Sequence, residues 1–169
     1  MTKIKLCGIQ RYEDIEVVNE LLPDYIGFVF AKKSKRFISH DMAKSLKKRL
    51  DKRVKAVGVF VNESIENIIY LVRNDIIDLI QLHGDEDSEY ISKLKNYVNT
   101  PVIKAFRIKY KDDINALYKE GSDFILLDAG AGDGKTLDES ILKDFKDDYF
   151  LAGGLSQDNI YEKINTLHP

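Results

Sequence analysis

The stretch from Lys55 to Leu82 reads KAVGVFVNESIENIIYLVRNDIIDLIQL. It begins with KAVGVF (55–60) and ends with DLIQL (78–82), short runs of apolar and β-branched residues that are typical of buried strands. Between them, residues 64–73 carry apolar side chains at helical spacing. The order strand, helix, strand predicts two parallel strands joined by a crossover helix.

The same unit recurs along the whole chain. Strand-like runs occur at 3–7, 25–30, 55–60, 78–82, 101–106, 123–128 and 149–153. Helix-like stretches alternate with them, at 12–21, 40–50, 64–73, 87–97, 111–119, 138–146 and 157–164. Residues suited to capping free helix amides stand at three of the starts: Ser39, Asn62 or Ser64, and Ser156. No linker or low-complexity segment interrupts the pattern, so residues 1–169 are predicted to form a single domain.

Two α/β architectures fit this alternation, an open doubly wound sheet and a (β/α)₈ TIM-type barrel. Seven units in 169 residues give about 24 residues a unit, which suits a compact barrel repeat. A complete eight-unit barrel needs at least ~200 residues. We therefore expect a (β/α)₈-type barrel with seven units present and the eighth missing, and keep the open sheet as the alternative.

The composition limits the kinds of molecule that the chain is expected to bind and the compartment that it suits. With a net charge of -2, the chain has no basic field that would favour nucleic acid or an anionic membrane. Its single cysteine excludes an internal disulfide framework or a multi-cysteine zinc site and suits a reducing compartment. The longest apolar runs, such as Ala56–Val61, are far below the ~18 residues of a membrane span. These features predict a soluble, cytoplasmic protein.

Polar residues and glycines stand where the predicted strands end, and in both α/β architectures the ligand site lies at that edge. Cys7 alone is more often a small buried hydrophobe than a base. Asp128 fits either a loop cap or an acid, and His83 is more often a structural hydrogen-bonding group than a catalyst.

Two loops at the same edge could hold anions. The basic run Lys32–Arg36 is usually a solvated loop, but Arg36 followed by Phe37 suggests an anion held beside an aromatic ring. Gly153 and Gly154 precede a helix and could cradle a phosphate with bare amides, or form only a tight turn. The run from Ala129 to Gly134-Lys135-Thr136 nearly matches a nucleotide-binding P-loop, but only 33 residues follow Thr136. A P-loop usually opens its domain, so a P-loop NTPase is a distant alternative.

Taken together, these segments resemble phosphoribosylanthranilate isomerase of tryptophan biosynthesis. The segments, in the family's order and spacing, are KLCGI (5–9), GFVF (27–30), SKRFIS (34–39), VGVFVN (57–62), QLHG (81–84), GKT (134–136) and GGL (153–155). The resemblance implies a (β/α)₈ barrel that converts N-(5-phosphoribosyl)anthranilate to its 1-deoxyribulose isomer by an Amadori rearrangement. It implies no metal and no organic cofactor, and a phosphorylated small molecule as the partner.

The resemblance also implies residue roles. Cys7 is the general base, Asp128 the general acid, and Arg36 the contact for the anthranilate carboxylate. His83 is placed among the substrate-binding residues, with Gly153 and Gly154 as the remaining half of the phosphate site. A carboxylic acid can protonate the ring oxygen of the aminofuranose, and a thiolate can then remove the C2′ proton of the Schiff base.

Two departures from the family stand out. Gln10 replaces the usual threonine beside the base, and an eighth strand with its Ser-Ser-Gly turn has no counterpart. An inactive fragment of this family, or another phosphate-binding barrel enzyme, is therefore kept as an alternative. Without the eighth unit, we expect a weakly stable or self-associating chain that exposes Val17, Leu21 and Ile160.

Overall fold

The computed structural model describes residues 2–108, 117, 121–128, 145 and 148–169. In this part of the chain, seven parallel strands form one sheet whose order follows the sequence. The strands are β1 Lys5–Cys7, β2 Tyr25–Val29, β3 Lys55–Phe60, β4 Leu79–Leu82, β5 Val102–Arg107, β6 Phe124–Asp128 and β7 Tyr149–Ala152. The helices are α1 Tyr12–Leu21, α2 His40–Lys47, α3 Ile65–Arg73, α4 Ser88–Lys95 and α5 Ile160–Leu167.

The helix starts agree with the sequence except at the last helix. Ser39 and Ser64 accept hydrogen bonds from the amides of Met42 and Asn67, at 3.3 and 3.4 Å, as capping residues do. The prediction of a helix capped by Ser156 is wrong, because α5 begins at Ile160 after a hydrogen-bonded turn. The predicted helices at 111–119 and 138–146 lie outside the described residues, apart from Leu117 and Phe145.

The sheet is curled, which decides between the two architectures. Lys5 of β1 donates a hydrogen bond to Gln81 of β4, although three strand spacings, roughly 14 Å, would separate these strands in a flat sheet. The rings of Tyr25 in β2 and Phe150 in β7 lie 5.5 Å apart at their centroids, across five spacings. Contacts of this kind require the strands to face one another around an axis. The fold is therefore of the TIM-barrel type, and the open sheet is wrong.

Two apolar layers pack against the curled sheet. The inner layer lies inside the barrel, and its buried residues come from four strands: Val57, Leu79, Ile103, Ala105 and Leu126. The outer and larger layer lies between the strands and the helices and includes Phe28, Phe60, Ile68 and Leu71. Successive side chains of a strand point to opposite faces. Runs such as KAVGVF, apolar at almost every position, follow from burial on both faces.

At the amino ends of the strands, aspartates bind backbone amides of the neighbouring strand. Asp24 accepts from Ile4 N at 2.9 Å, Asp78 from Ala56 N at 2.7 Å, and Asp123 from Val102 N at 2.8 Å. Each aspartate precedes an even-numbered strand and ties it to the odd-numbered strand before it. These bonds fix the strand pairs at the end of the barrel opposite the predicted site.

A seam separates the first and last strands. Within the described residues, β1 pairs only with β2 and β7 only with β6. A cleft of about 430 Å³ opens between them, lined by both strand edges and α5. Val17 and Leu21 are 52% and 66% exposed, as expected, whereas Ile160 is partly buried. Self-association through the strand edges stays a prediction. No helix in the described ranges has the length and apolar character needed to cross a membrane.

Candidate active site

The end of β1 and the loop after β2 bring Cys7 and Arg36 together. Arg36 Nη1 donates a hydrogen bond to the carbonyl oxygen of Cys7 at 3.1 Å. Gly8 has φ +96°, and a Cβ there would overlap the Arg36 side chain. A Cβ on Gly27 would lie 2.7 Å from Cys7 Sγ. Glycines therefore make room for the side chains of Cys7 and Arg36 at the mouth, the opening at the carboxyl ends of the strands.

Gln10, the departure from the family pattern, holds the same loop. Its Nε2 donates to the carbonyl oxygen of Phe37 at 3.0 Å and, more weakly, to that of Lys35 at 3.4 Å. These two residues flank Arg36. The glutamine thus ties the loop that presents the guanidinium to the end of β1. Lys32 and Lys33 of the same basic run are exposed, as predicted for solvated side chains.

A row of polar side chains runs from β1 to Asp128 at the end of β6. Lys5 Nζ donates to Gln81 Oε1. Gln81 Nε2 lies 3.0 Å from His83 Nδ1, and His83 Nε2 lies 3.1 Å from Asp128 Oδ2. Both ring nitrogens of His83 are therefore engaged by side chains of the protein. A direct contact of His83 with substrate stays a prediction.

Burial and two neighbouring charged groups shift the pKa of Lys5. Burial lowers the pKa of its ammonium below the ordinary value, the charge of Cys7 raises it, and the charge of Arg36 lowers it further. The charges of Cys7 and Arg36 both act on Lys5, which is hydrogen-bonded to Gln81, the next residue of the row that ends at Asp128. Arg107 of β5 is the register partner of Asp128, which puts a second cation on the neighbouring strand at the mouth.

The glycine turn follows β7 beside the predicted acid. Ala152, the last residue of β7, is the register partner of Asp128, so Gly153 follows directly at this edge. Gly153 and Gly154 have φ values of +83° and +65°. Asn159 closes the turn, since its side chain accepts from Ser156 N at 2.9 Å and donates to Gly154 O at 2.8 Å. The later start of α5 leaves five residues between Gly154 and the helix, so the phosphate site stays a prediction.

A buried ion pair supports the loop after β4, next to His83. Glu86 accepts from Asn62 N at 2.6 Å and Gly84 N at 2.9 Å, and Lys104 Nζ lies 3.3 Å from its second oxygen. Lys104 also donates to Gly84 O at 2.7 Å. The side chains of Glu86 and Lys104 are 1% and 6% exposed. The pair holds the ends of β3, β4 and β5 in one arrangement.

The sequence did not single out four residues that shape this mouth: Lys5, Gln81, Glu86 and Lys104. A signal existed for three of them, because Lys5, Gln81 and Lys104 are polar residues inside otherwise apolar strands. The P-loop-like segment from Ala129 to Thr136 lies outside the described residues. Among those that are described, no group of three or more His, Cys, Asp or Glu side chains is placed to hold a metal ion. Independence from cofactors stays a prediction.

Fold and mouth together define a TIM-barrel enzyme whose polar groups gather at the carboxyl ends of its strands. A sequence profile of N-(5'phosphoribosyl)anthranilate (PRA) isomerase matches residues 4–169. The N-(5'-phosphoribosyl)anthranilate isomerase of Endomicrobium trichonymphae is 45% identical over 176 aligned positions, which cover 100% of this chain and 85% of the relative. The chain belongs to the N-(5'-phosphoribosyl)anthranilate isomerase family.

Solved structures give the same result. The crystal structure of phosphoribosyl anthranilate isomerase from Thermotoga maritima superimposes with a TM-score of 0.86 at 34% identity, covering 100% of this chain and 85% of that one. A second isomerase structure, in complex with reduced 1-(o-carboxyphenylamino)-1-deoxyribulose 5-phosphate, gives a TM-score of 0.84 at 34% identity, covering 100% and 84%. The predicted family and barrel fold are confirmed.

Proposed function

We propose that this chain converts N-(5'-phosphoribosyl)anthranilate to 1-(2-carboxyphenylamino)-1-deoxyribulose 5-phosphate, a step of tryptophan biosynthesis. Family membership over residues 4–169 is the observation that carries this proposal. The neighbour that binds a reduced form of the product supports the same ligand chemistry. The mouth supplies the side chains the reaction needs, a thiol on β1 and a carboxyl group on β6.

The reaction moves protons without a net change in composition. Asp128 donates a proton to the ring oxygen of the aminofuranose, the C1′–O bond breaks, and a Schiff base forms between C1′ and the anthranilate nitrogen. The thiolate of Cys7 takes the C2′ proton, which the Schiff base has made acidic, and leaves an enolamine. The enolamine then gains a proton at C1′ and loses the one on its C2′ hydroxyl, which gives the ketone.

Arg36 and the glycine turn are proposed to hold the two ends of the substrate. The guanidinium of Arg36 lies beside Cys7 and can bind the anthranilate carboxylate through charge-assisted hydrogen bonds. Gly153 and Gly154 face the phosphate with backbone amides. The single cysteine and the net charge of -2 support a cytoplasmic enzyme with no nucleic-acid or membrane partner.

The test combines binding with turnover. We expect the chain to bind reduced 1-(o-carboxyphenylamino)-1-deoxyribulose 5-phosphate in calorimetry, and Arg36→Ala to weaken this binding while Lys32→Ala and Lys33→Ala do not. Cys7→Ser and Asp128→Asn should each lower kcat by ~10²-fold or more while leaving the fold intact by circular dichroism. Near-parental kcat in either variant would show that its role is misassigned. No binding and no turnover by the parent would overturn the proposed function.

A further inference from the structure

A row of hydrogen-bonded polar side chains crosses the inside of the barrel. The donors and acceptors that each side chain carries determine the direction of each hydrogen bond in the row. Lys5, Gln81 and His83 lie on β1, at the middle of β4 and just after β4, and the row ends at Asp128. Gln81 is only 2% exposed, so each of its polar atoms needs a partner within the protein. The row is therefore a connected network and not a set of solvated surface groups.

Lys5 orients the amide of Gln81. An ammonium has donors and no acceptor, so the Gln81 atom that faces Lys5 must be its oxygen. The amide nitrogen of Gln81 then lies 3.0 Å from His83 Nδ1. This amide nitrogen can donate hydrogen bonds but cannot accept one. With the amide turned the other way, two donors would meet at Lys5. Lys5 thus determines which end of the Gln81 amide is the oxygen and which is the nitrogen, an assignment that is usually ambiguous.

The orientation of Gln81 in turn selects one tautomer of His83. Nδ1 must present its lone pair to the glutamine, so the neutral ring carries its proton on Nε2. Nε2–H then donates to Asp128 Oδ2, 3.1 Å away.

We propose that Lys5 and Gln81 are positioning residues, which hold His83 in the Nε2–H tautomer and so orient the carboxyl group of Asp128 for proton transfer. The role in proton transfer rests on the proposed isomerase function. The tautomer itself follows from the contacts alone and can be measured without any turnover.

Nitrogen NMR of the ¹⁵N-labelled chain tests the tautomer directly, at a pH about one unit or more above the ordinary histidine pKa of ~6.5. A His83→Gln variant assigns the His83 signals against those of His40 and His168. We expect a pyridine-type signal from Nδ1 and a pyrrole-type signal from Nε2. A pyrrole-type Nδ1 in the parent chain would overturn the proposal.

Two variants test the cause of the tautomer. Gln81→Glu places a carboxylate oxygen where the amide nitrogen was, so Nδ1 should become pyrrole-type. Lys5→Met removes the group that orients the amide, so both His83 signals should move toward intermediate positions. Lys55→Met, at an exposed lysine that begins β3, is the matched control and should leave the pattern unchanged. A folded Lys5→Met or Gln81→Glu protein with the parental pattern would overturn the proposal.

Turnover separates this inference from the proposed function. Gln81→Leu should lower kcat by roughly 10-fold or more, because the acid loses its alignment, while KM stays within about twofold since no substrate contact is removed. A change in KM as large as the change in kcat, or no change in kcat, would contradict the positioning role. If the parent chain has no activity, the proposed function fails, and the NMR pattern still decides whether the row fixes His83.

Discussion

Aspartates at the two ends of the barrel differ in what they bind. Asp24, Asp78 and Asp123, at the amino ends of β2, β4 and β6, accept hydrogen bonds from backbone amides of adjacent strands. The carboxylate of Asp128, at the carboxyl end of β6, meets the imidazole ring of His83. Two of these residues, Asp123 and Asp128, flank the same strand.

The difference shows that the position of a carboxylate along the strand decides its role. At the amino ends, each aspartate satisfies an amide at a strand edge and so stabilises the pairing. At the carboxyl ends, the loops open outward and side chains meet other side chains around a space for ligand. Substitutions at the first set should change stability, and substitutions at the second should change turnover.

Glu86 is the carboxylate that breaks this rule, and the largest effect on stability is expected there. It lies on the mouth side, yet it is buried against Lys104 and two backbone amides. Glu86→Ala should lower the free energy of unfolding by about 3–5 kcal/mol, because it leaves Lys104 buried without its partner. Urea unfolding measures this change.

The matched variants at this site are Lys104→Met and the double variant Glu86→Leu with Lys104→Met. The double variant should lose less than the sum of the two single losses, since no charge is left unpaired. Additive losses would mean that the two side chains act independently.

A middle-sized effect should separate two amino-end aspartates. Asp78 is part-buried, bonds to Ala56 N and pairs with Lys47, whereas Asp24 is exposed and bonds to Ile4 N. Asp78→Ala should cost about 1–3 kcal/mol, because a part-buried amide and a lysine lose their acceptor. Asp24→Ala should cost less than about 1 kcal/mol, because water replaces the carboxylate. Equal costs in urea unfolding would contradict the role of burial.

The smallest effect should appear at Asp14 and should depend on pH. Partial burial alone raises the pKa of Asp14, but hydrogen bonds from Gln10 N, and from Arg11 through its backbone and side chain, outweigh it and lower the pKa. A lowered pKa in the folded chain adds stability above the unfolded pKa of ~3.9, and this stability is lost as pH falls through the folded value.

The advantage of the parent chain over Asp14→Asn should therefore be below about 1 kcal/mol near neutral pH and shrink as pH falls from about 5 toward the lowered pKa of the folded chain. Urea unfolding at several pH values measures the difference. A difference that stays constant over this range would show that the carboxylate charge contributes nothing at the start of α1.

Much of the site could be predicted from the sequence, because function at strand ends needs only the order of the elements. Cys7 and Asp128 end β1 and β6 as predicted. Arg36 meets Cys7 at the same edge. The catalytic and binding roles of these residues stay predictions. The partners within the barrel were not found. A lysine in KIKLC and a glutamine in DLIQL each signal a polar group in a buried strand. Neither pattern shows that these two side chains contact each other. The same is true of Lys104, whose partner Glu86 lies on a loop.

The sequence by itself determined the type and order of the strands and of the described helices, and the parallel arrangement of the strands, because apolar periodicity and capping residues act over a few neighbouring positions. Only the tertiary structure decided which inward-facing polar side chains meet. Lys5 and Gln81 are 76 positions apart, and they touch because the sheet curls far enough to bring β1 opposite β4. Curvature arises from the packing of all the strands and helices together, so no local pattern contains it. For that reason, the row that leads to Asp128 became visible only in the folded barrel.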